Sequence, residues 1–397
     1  MWWTRGYTDT LIFVNDRYLM AMAIHSADAD CYHGGAFYTA IGEDFRHLDR
    51  SQQIINADVL DAWFDPAPGV TAALREYLPW ILKTSPPTQA HGMGDAIAAA
   101  RGIPCGSILP GGGSSDLIFL ALGRFLNSAS RVLILDPMYG EYAHLLERVI
   151  GCQVERLQLC RADGYIVDPE VLATRMAAGF DAVILVNPNS PTGRYLPSGT
   201  LERILAEAPP KTLLWVDETY LNFVDGAASL ELAASRSQRL FVCTSLSKAY
   251  ALSGARCAYL VGPESRLREL RRWTPPWAVS HVAQIAACAA LAAPTYYREC
   301  WTMTHSLRHD LAMKLADLGL DPVPGTANFL LCHLGPGDPT AAELMTACRQ
   351  YGLFLRDVTD MGRMWRDQVF RIAVKDASTN ARMMSLLAEV LANHRRG

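Results

Sequence analysis

Five apolar runs of strand length recur from about residue 90 onward, each followed by a longer stretch of helical periodicity: 131-RVLILDP, 182-AVILVNPN, 212-TLLWVDETY, 240-LFVCTSLSK and 257-CAYLVG. Continuous apolar strands that alternate with helices predict an α/β fold, with a mostly parallel sheet covered by helices on both faces. Such a sheet binds ligands outside the carboxyl ends of its strands. Here those ends read Asp136-Pro137-Met138-Tyr139, the turn N-P-N-S-P-T-G from Asn187 to Gly193, Asp217-Glu218-Thr219-Tyr220 and Ser245-Leu246-Ser247-Lys248. A parallel sheet brings all of them to one edge. Each has an ordinary explanation by itself. An aspartate after a strand can cap a helix, the proline-rich turn is a serviceable turn, and a lysine near a core can snorkel to water. Their succession on consecutive strands argues for one shared site.

Lys248 is the sharpest feature. It is a lone amine at the end of an apolar strand, beside the hydroxyls of Ser245 and Ser247, with Arg256 eight residues on. Groups of this kind hold anions. A second anion signal lies in 109-LPGGGSSDLIFLAL-122, where a glycine turn leads straight into an apolar helical pattern. Gly113 lets the backbone turn tightly, Ser114 and Ser115 offer hydroxyls and helix caps, and the helix start presents unbonded N–H groups and a positive dipole end. No lysine follows the loop, so it is not a P-loop, and it lacks G-x-G-x-x-G spacing. An ordinary capped helix is the alternative.

Composition excludes several classes. The chain has 397 residues, half of them apolar, with net charge −4 and no basic run or stripe, so nucleic acid is not an expected partner. Ten cysteines include no C-x-x-C pair and no zinc-finger spacing to histidine. They read as reduced, buried small residues of a cytoplasmic protein, and no metal site is expected. Neither a secretory leader nor a membrane span is expected. The segment up to about Met20 or Met22 reads either as an ordered arm or as residues ahead of the true start.

In order and spacing, G-G-G-S-S-D, N-P-N-S-P-T-G, D-E-T-Y, S-L-S-K and the downstream arginine resemble fold-type I pyridoxal-phosphate enzymes of aminotransferase class I/II, from about residue 33 to residue 390. Within that class the chain looks most like the histidinol-phosphate aminotransferase and threonine-phosphate decarboxylase families. The resemblance implies an aspartate-aminotransferase-like fold with an N-terminal arm over 1–32, a large cofactor-binding domain over 85–285, and a small α/β domain built from 33–84 and 286–397. It also implies a homodimer with shared active sites. Lys248 would form the Schiff base with the cofactor aldehyde, since burial and neighbouring positive charge make a lysine nucleophilic near neutral pH. The freed amine would then move protons at the substrate carbon. Gly113, Ser114, Ser115, Ser245, Ser247 and Arg256 match the phosphate-holding positions. Asp217 matches the partner of the pyridine nitrogen, Tyr220 the tyrosine on the ring hydroxyl, and Tyr139 the ring-stacking aromatic.

Downstream, 326-TANFLLCHL, 353-LFLRDV and 369-VFRIAV read as three short strands, and a helix closes the chain. Arg371 matches the arginine that grips the substrate α-carboxylate, Asn328 an asparagine beside it, and Arg356 an arginine facing the distal substrate group. A surface ion pair of Arg356 with Asp357 or Asp360 is the alternative. Three positions depart from the family pattern. Ser190 stands where the turn normally has an asparagine on the ring hydroxyl, with Asn189 just before it. In 54-IINADVLDAWFDPAPGV-70, Asp58 and Asp61 replace neutral amides, and Trp63 and Phe64 add bulk. Carboxylates there would favour a cationic substrate over a phosphorylated one, unless they only cap a turn or helix. Thr84 or Ser85 replaces a tyrosine offered to the partner subunit. In contrast, 32-YHGG-35 resembles the start of threonine-phosphate decarboxylases, with His33 either touching substrate or ordering the arm.

Transamination of an α-amino acid is the first expectation. Decarboxylation of the threonine-phosphate type is one alternative. β- or γ-elimination or replacement on a large cationic amino acid, such as a sulfonium or guanidino substrate, is another. A non-catalytic cofactor-binding relative is a further alternative, against which the retained Lys248, Asp217 and Arg371 argue.

Overall fold

The apolar runs become strands because both faces of each are covered. Residues alternate faces along a strand, yet every residue of Ala182–Val186, Leu213–Asp217 and Leu240–Ser245 is buried. The computed structural model describes residues 34–396. The expected arm over 1–32 and the expected substrate contact of His33 lie outside the described residues.

The large sheet has seven strands: β1 (Ile108–Gly111), β2 (Arg131–Asp136), β3 (Gln153–Gln158), β4 (Ala182–Val186), β5 (Leu213–Asp217), β6 (Leu240–Ser245) and β7 (Ala258–Val261), in the spatial order β1-β7-β6-β5-β4-β2-β3. β7 runs antiparallel to both its neighbours; every other pairing is parallel. Six strands therefore end on one edge, with Val186, Asp217 and Cys243 abreast across β4, β5 and β6. Gly111 and Ser245 both stand opposite Ala258, so the ends of β1 and β6 flank the start of β7.

The sequence pattern did not show β1 and β3, and both are edge strands. β1 carries Pro110 and Gly111, tolerable where one side of the strand makes no ladder. β3 reads QVERLQ, mostly half-exposed, with a single buried leucine.

A second, four-stranded antiparallel sheet has the order β10-β11-β9-β8, from β8 (Asp321–Pro322), β9 (Phe329–His333), β10 (Arg356–Asp357) and β11 (Val369–Ala373). Its strands fall within the three C-terminal runs, apart from the two-residue edge strand β8. Ile55–Asn56 pairs in parallel with Leu353–Phe354 beside it. A 24-residue helix, Pro294–Asp317, leads into this sheet and the helix Ala377–Arg396 closes the chain. The turn after β4 touches the approach to β9 backbone to backbone. A Cβ on Gly193 would lie 3.0 Å from the Gly325 Cα, and the Thr326 N–H donates to the Gly193 carbonyl at 2.8 Å. No helix among the described residues is long and apolar enough to cross a membrane.

Candidate active site

Asp217 closes β5, where the apolar ladder gives out and its carboxylate turns into the edge. The Tyr142 hydroxyl donates to one oxygen at 2.8 Å and the Thr219 N–H to the other at 3.0 Å. The Trp215 indole donates to the Tyr142 oxygen at 2.8 Å, so a chain of buried donors runs through β5 to the carboxylate. Burial raises the Asp217 carboxyl above its ordinary value, against the pull of the Thr219 and Tyr142 hydrogen bonds.

Tyr139 caps the helix that follows β2 and donates its hydroxyl to Glu141 at 2.7 Å; Ser115 donates to the same carboxylate oxygen at 2.9 Å. Tyr220 meets Phe329 edge-on, with ring centroids 5.2 Å apart. Its phenol is raised by burial, with Arg371 pulling it down, and the Ser190 hydroxyl bonds to it. These contacts tie β2, β5 and β9 to one space.

Just past β6, the Lys248 Nζ lies 3.1 Å from Oδ1 of Asp61 and 3.4 Å from the Ser253 hydroxyl. Burial lowers the amine below its ordinary value; Asp61 opposes this, while Arg371 and Arg256 add to it. Asp61 is affected in the opposite sense. Burial pushes its carboxyl up, but Lys248, Ser253 and Lys375 together hold it below its ordinary value.

The anion seat forms where Gly113 meets Arg256. Gly113 has φ +112°, and a Cβ there would fall 2.5 Å from an Arg256 guanidinium nitrogen. Only glycine gives the guanidinium that room at that backbone angle. Gly113 is the N-cap of the helix Ser114–Phe125, which has no side-chain cap, so the expected capping by Ser114 and Ser115 is not what the structure has. Ser115 faces Glu141 instead, and Asp116 accepts the Gly112 N–H at 2.9 Å. Ser245 donates to the Ser247 hydroxyl at 2.9 Å and accepts the Ser247 N–H at 3.2 Å. The two hydroxyls thus share one corner at the end of β6.

Arg371 and Arg356 stand directly opposite each other on β11 and β10. Two like charges in that register need a counter-charge, and Asp58 supplies it. Arg356 approaches its Oδ1 to 3.8 Å, and Arg371 donates to its backbone carbonyl at 3.3 Å and to the Ser190 hydroxyl at 3.3 Å. Arg356 is 8 % exposed, so it lies below the surface beside Asp58. The other Asp58 oxygen accepts the N–H groups of Gly35 and Ala36, so this carboxylate caps a turn and neutralises an arginine. Asn328 donates to the Leu60 carbonyl at 3.0 Å. Its Oδ1, the Oδ1 of Asn189 and the Nε of Arg371 are buried without a hydrogen-bond partner among the described residues. Asn189 itself donates to the Pro137 carbonyl and to Thr192, shaping the turn. Trp63 donates to Thr304 and Phe64 packs on Tyr297, which pins the 57–66 segment to the long helix. Thr84 follows the helix Pro68–Lys83 as its C-cap residue.

Four residues of this cluster carried no expectation: Tyr142, Glu141, Ser253 and Lys375. Lys375 lies four residues beyond Arg371, and strand parity could have found it. The contact of Asp61 with Lys248 spans 187 residues, and no local signal announces it.

Residues 67–391 match the family described as aminotransferase class I and II. Histidinol-phosphate aminotransferase 2 of Dechloromonas aromatica is 30% identical over 317 residues, covering 78% of this chain and 85% of that protein. Threonine-phosphate decarboxylase of Salmonella typhimurium is 29% identical over 304 residues, covering 75% and 80%. In fold, the crystal structure of histidinol-phosphate aminotransferase from Sinorhizobium meliloti in complex with pyridoxal-5'-phosphate superposes with a TM-score of 0.75 at 22% identity, covering 93% of this chain and 99% of that one.

Proposed function

The chain belongs to the aminotransferase class I and II family, and from that membership and the surroundings of Lys248 we propose that it is a pyridoxal-phosphate-dependent aminotransferase acting on an α-amino acid. The residues present fit that cofactor. Gly113 and Arg256 form a cradle that a Cβ would fill, the Ser245 and Ser247 hydroxyls share a corner at the end of β6, and a helix start adds N–H donors. The buried polar atoms of Asn189, Asn328 and Arg371 that lack partners await a polar ligand. Bound there, pyridoxal phosphate supplies an electron sink for the pair left when a bond at the substrate α-carbon breaks.

The protein's own groups do the rest. Lys248 would anchor the cofactor, and its amine, lowered by burial below its ordinary value, gives up a proton more readily than a free lysine. Asp217, ionised against a ring nitrogen, would keep that nitrogen protonated, while Tyr142 and Thr219 fix its carboxylate plane. Tyr139 would cover one ring face and exclude water, and Tyr220 with Ser190 would hold the ring hydroxyl. Arg371 would grip the substrate α-carboxylate in its planar fork, with Asn328 beside it. A homodimer with shared active sites, and a large and a small domain divided near residues 85 and 285, belong to the same proposal.

The observation that carries the proposal is the half-buried Lys248 at the strand edge, 3.1 Å from the Asp61 carboxylate and just past the Ser245–Ser247 corner. A single-turnover assay tests it. The loaded enzyme is mixed with a panel of amino acids and no keto-acid acceptor, and the cofactor spectrum and product masses are followed. Stoichiometric pyridoxamine phosphate with a keto acid is expected. Repeated turnover with loss of carbon dioxide, or of a side-chain group, would overturn transamination in favour of decarboxylation or elimination. The half-exposed carboxylate of Asp61 beside Lys248 favours elimination or replacement on a cationic substrate as the second reading.

A further inference from the structure

Asp61 faces two amines. Its Oδ1 lies 3.1 Å from the Lys248 Nζ, and the Lys375 Nζ donates to its backbone carbonyl at 3.4 Å. The three residues come from distant parts of the chain: the 57–66 segment, the turn after β6 and the residues just past β11. Ser253 completes the cluster, donating to the Ser247 carbonyl at 3.1 Å and lying 3.4 Å from Lys248. A lysine that must work unprotonated gains nothing from a carboxylate in contact, because the carboxylate stabilises the charged amine. Lys375 does the reverse, since its own charge weighs against a charge on Lys248. The arrangement therefore holds the Lys248 nitrogen between two opposed influences whose geometry is fixed by packing.

Resting on the reading of Lys248 as the cofactor-bearing lysine, we propose that Asp61 and Lys375 are positioning residues for Lys248. They place a carboxylate in contact with Lys248 and an amine close by, whose charges act on its nitrogen in opposite directions. The other charged groups that act on Lys248 are Arg256 and Arg371, both cations that oppose protonation. Asp61 feels Lys248, Lys375 and the Ser253 hydroxyl, and its charge also reaches the Tyr220 phenol. Lys375 feels Asp61, Lys248 and the neighbouring Asp376. Asp376 is itself bound by the Ser378 hydroxyl and the N–H groups of Ser378 and Thr379. Asp61 is thus the carboxylate in contact with Lys248, and Lys375 is the amine bonded to the same residue's backbone carbonyl.

The test is an absorbance titration of the full-length, pyridoxal-phosphate-loaded protein, reading the midpoint of the pH-dependent change in the lysine-linked cofactor band. Asp61→Asn is expected to lower the midpoint by about one pH unit, a tenfold loss of proton affinity. Lys375→Met is expected to raise it. The double variant should return toward the wild-type midpoint, and Asp61→Glu should restore most of it. Asp61→Ser carries the same expectation as Asp61→Asn, should the amide variant fail to fold. Midpoints within about 0.3 unit of wild type, or single variants that both move the same way, overturn the proposal. A wild-type protein with no such band, or a Lys248→Ala protein that keeps it, overturns the assignment of Lys248 and this proposal with it. A band that depends on Lys248 but ignores Asp61 and Lys375 overturns this proposal alone.

Discussion

The Tyr142 hydroxyl donates to the Asp217 carboxylate at 2.8 Å while accepting the Trp215 indole N–H at 2.8 Å. Two residues thus orient a buried carboxyl group. A hydrogen bond to a charged group contributes about 1.5–3 kcal/mol. Tyr142→Phe leaves both the indole and one carboxylate oxygen short of a partner. Turnover is expected to fall about tenfold or more, with a smaller change in KM. Unchanged kcat would mean that the tyrosine is only packing.

Gly113→Ala tests the anion seat. The added methyl would lie 2.5 Å from an Arg256 nitrogen, at a φ of +112° that alanine rarely adopts. Backbone strain of this kind costs about 1–3 kcal/mol. Cofactor affinity should drop roughly tenfold to a hundredfold, measured by equilibrium titration with pyridoxal phosphate. Affinity equal to wild type would place the phosphate elsewhere.

Arg371→Lys keeps a positive charge and loses the fork. The guanidinium now reaches Ser190 and the Asp58 carbonyl from two nitrogens, which a single ammonium cannot copy. A loss of about a hundredfold in kcat/KM, carried mainly by KM, is expected in steady-state kinetics. If kcat falls while KM stays fixed, the arginine is not gripping the substrate carboxylate.

Glu218 gives a pH signature that owes nothing to catalysis. Burial, helped by nearby Glu231, pushes its carboxyl up to about 8. The folded protein binds this proton more tightly than the unfolded chain does. The resulting stability is full below the ordinary carboxylate range and is lost as pH rises through about 8. Glu218→Gln keeps the acceptor for the Leu230 N–H and removes the titration. The variant should therefore gain on wild type in melting temperature as pH rises from about 5 to about 8, and by several degrees at the upper end. A gap that does not change with pH would show that the proton is not held there.

Much of this candidate site was legible because its polar groups sit at strand ends. A strand run is read from its apolar residues, and the residue that ends it marks the edge where ligands bind; Asp217, Ser245 and Lys248 follow from that alone. Tyr139, Ser190 and Arg371 came from motif resemblance, and the structure gathers them around the same space. What stayed hidden depends on pairings between distant residues. Nothing near Asp61 says that Lys248 will touch it, and nothing near Asp58 says that its carboxylate will cap Gly35 and Ala36 rather than face open space. The edge strands β1 and β3 were hidden for other reasons: Pro110 and Gly111 cut short the apolar run of β1, and half-exposed residues blur that of β3.

Asp58 hands its backbone carbonyl to Arg371 across 313 residues of chain. A polypeptide emerging from the ribosome has made Asp217 and Lys248 long before Arg371 and Lys375 exist. The strand ends of the large sheet can assemble while the Arg371 corner is still unmade. The Arg371 corner is thus completed late in synthesis, and contacts of such long range are also the slow ones to form in refolding. A chain stopped before β11 would keep Lys248 and lack Arg371, the guanidinium proposed to grip the substrate α-carboxylate.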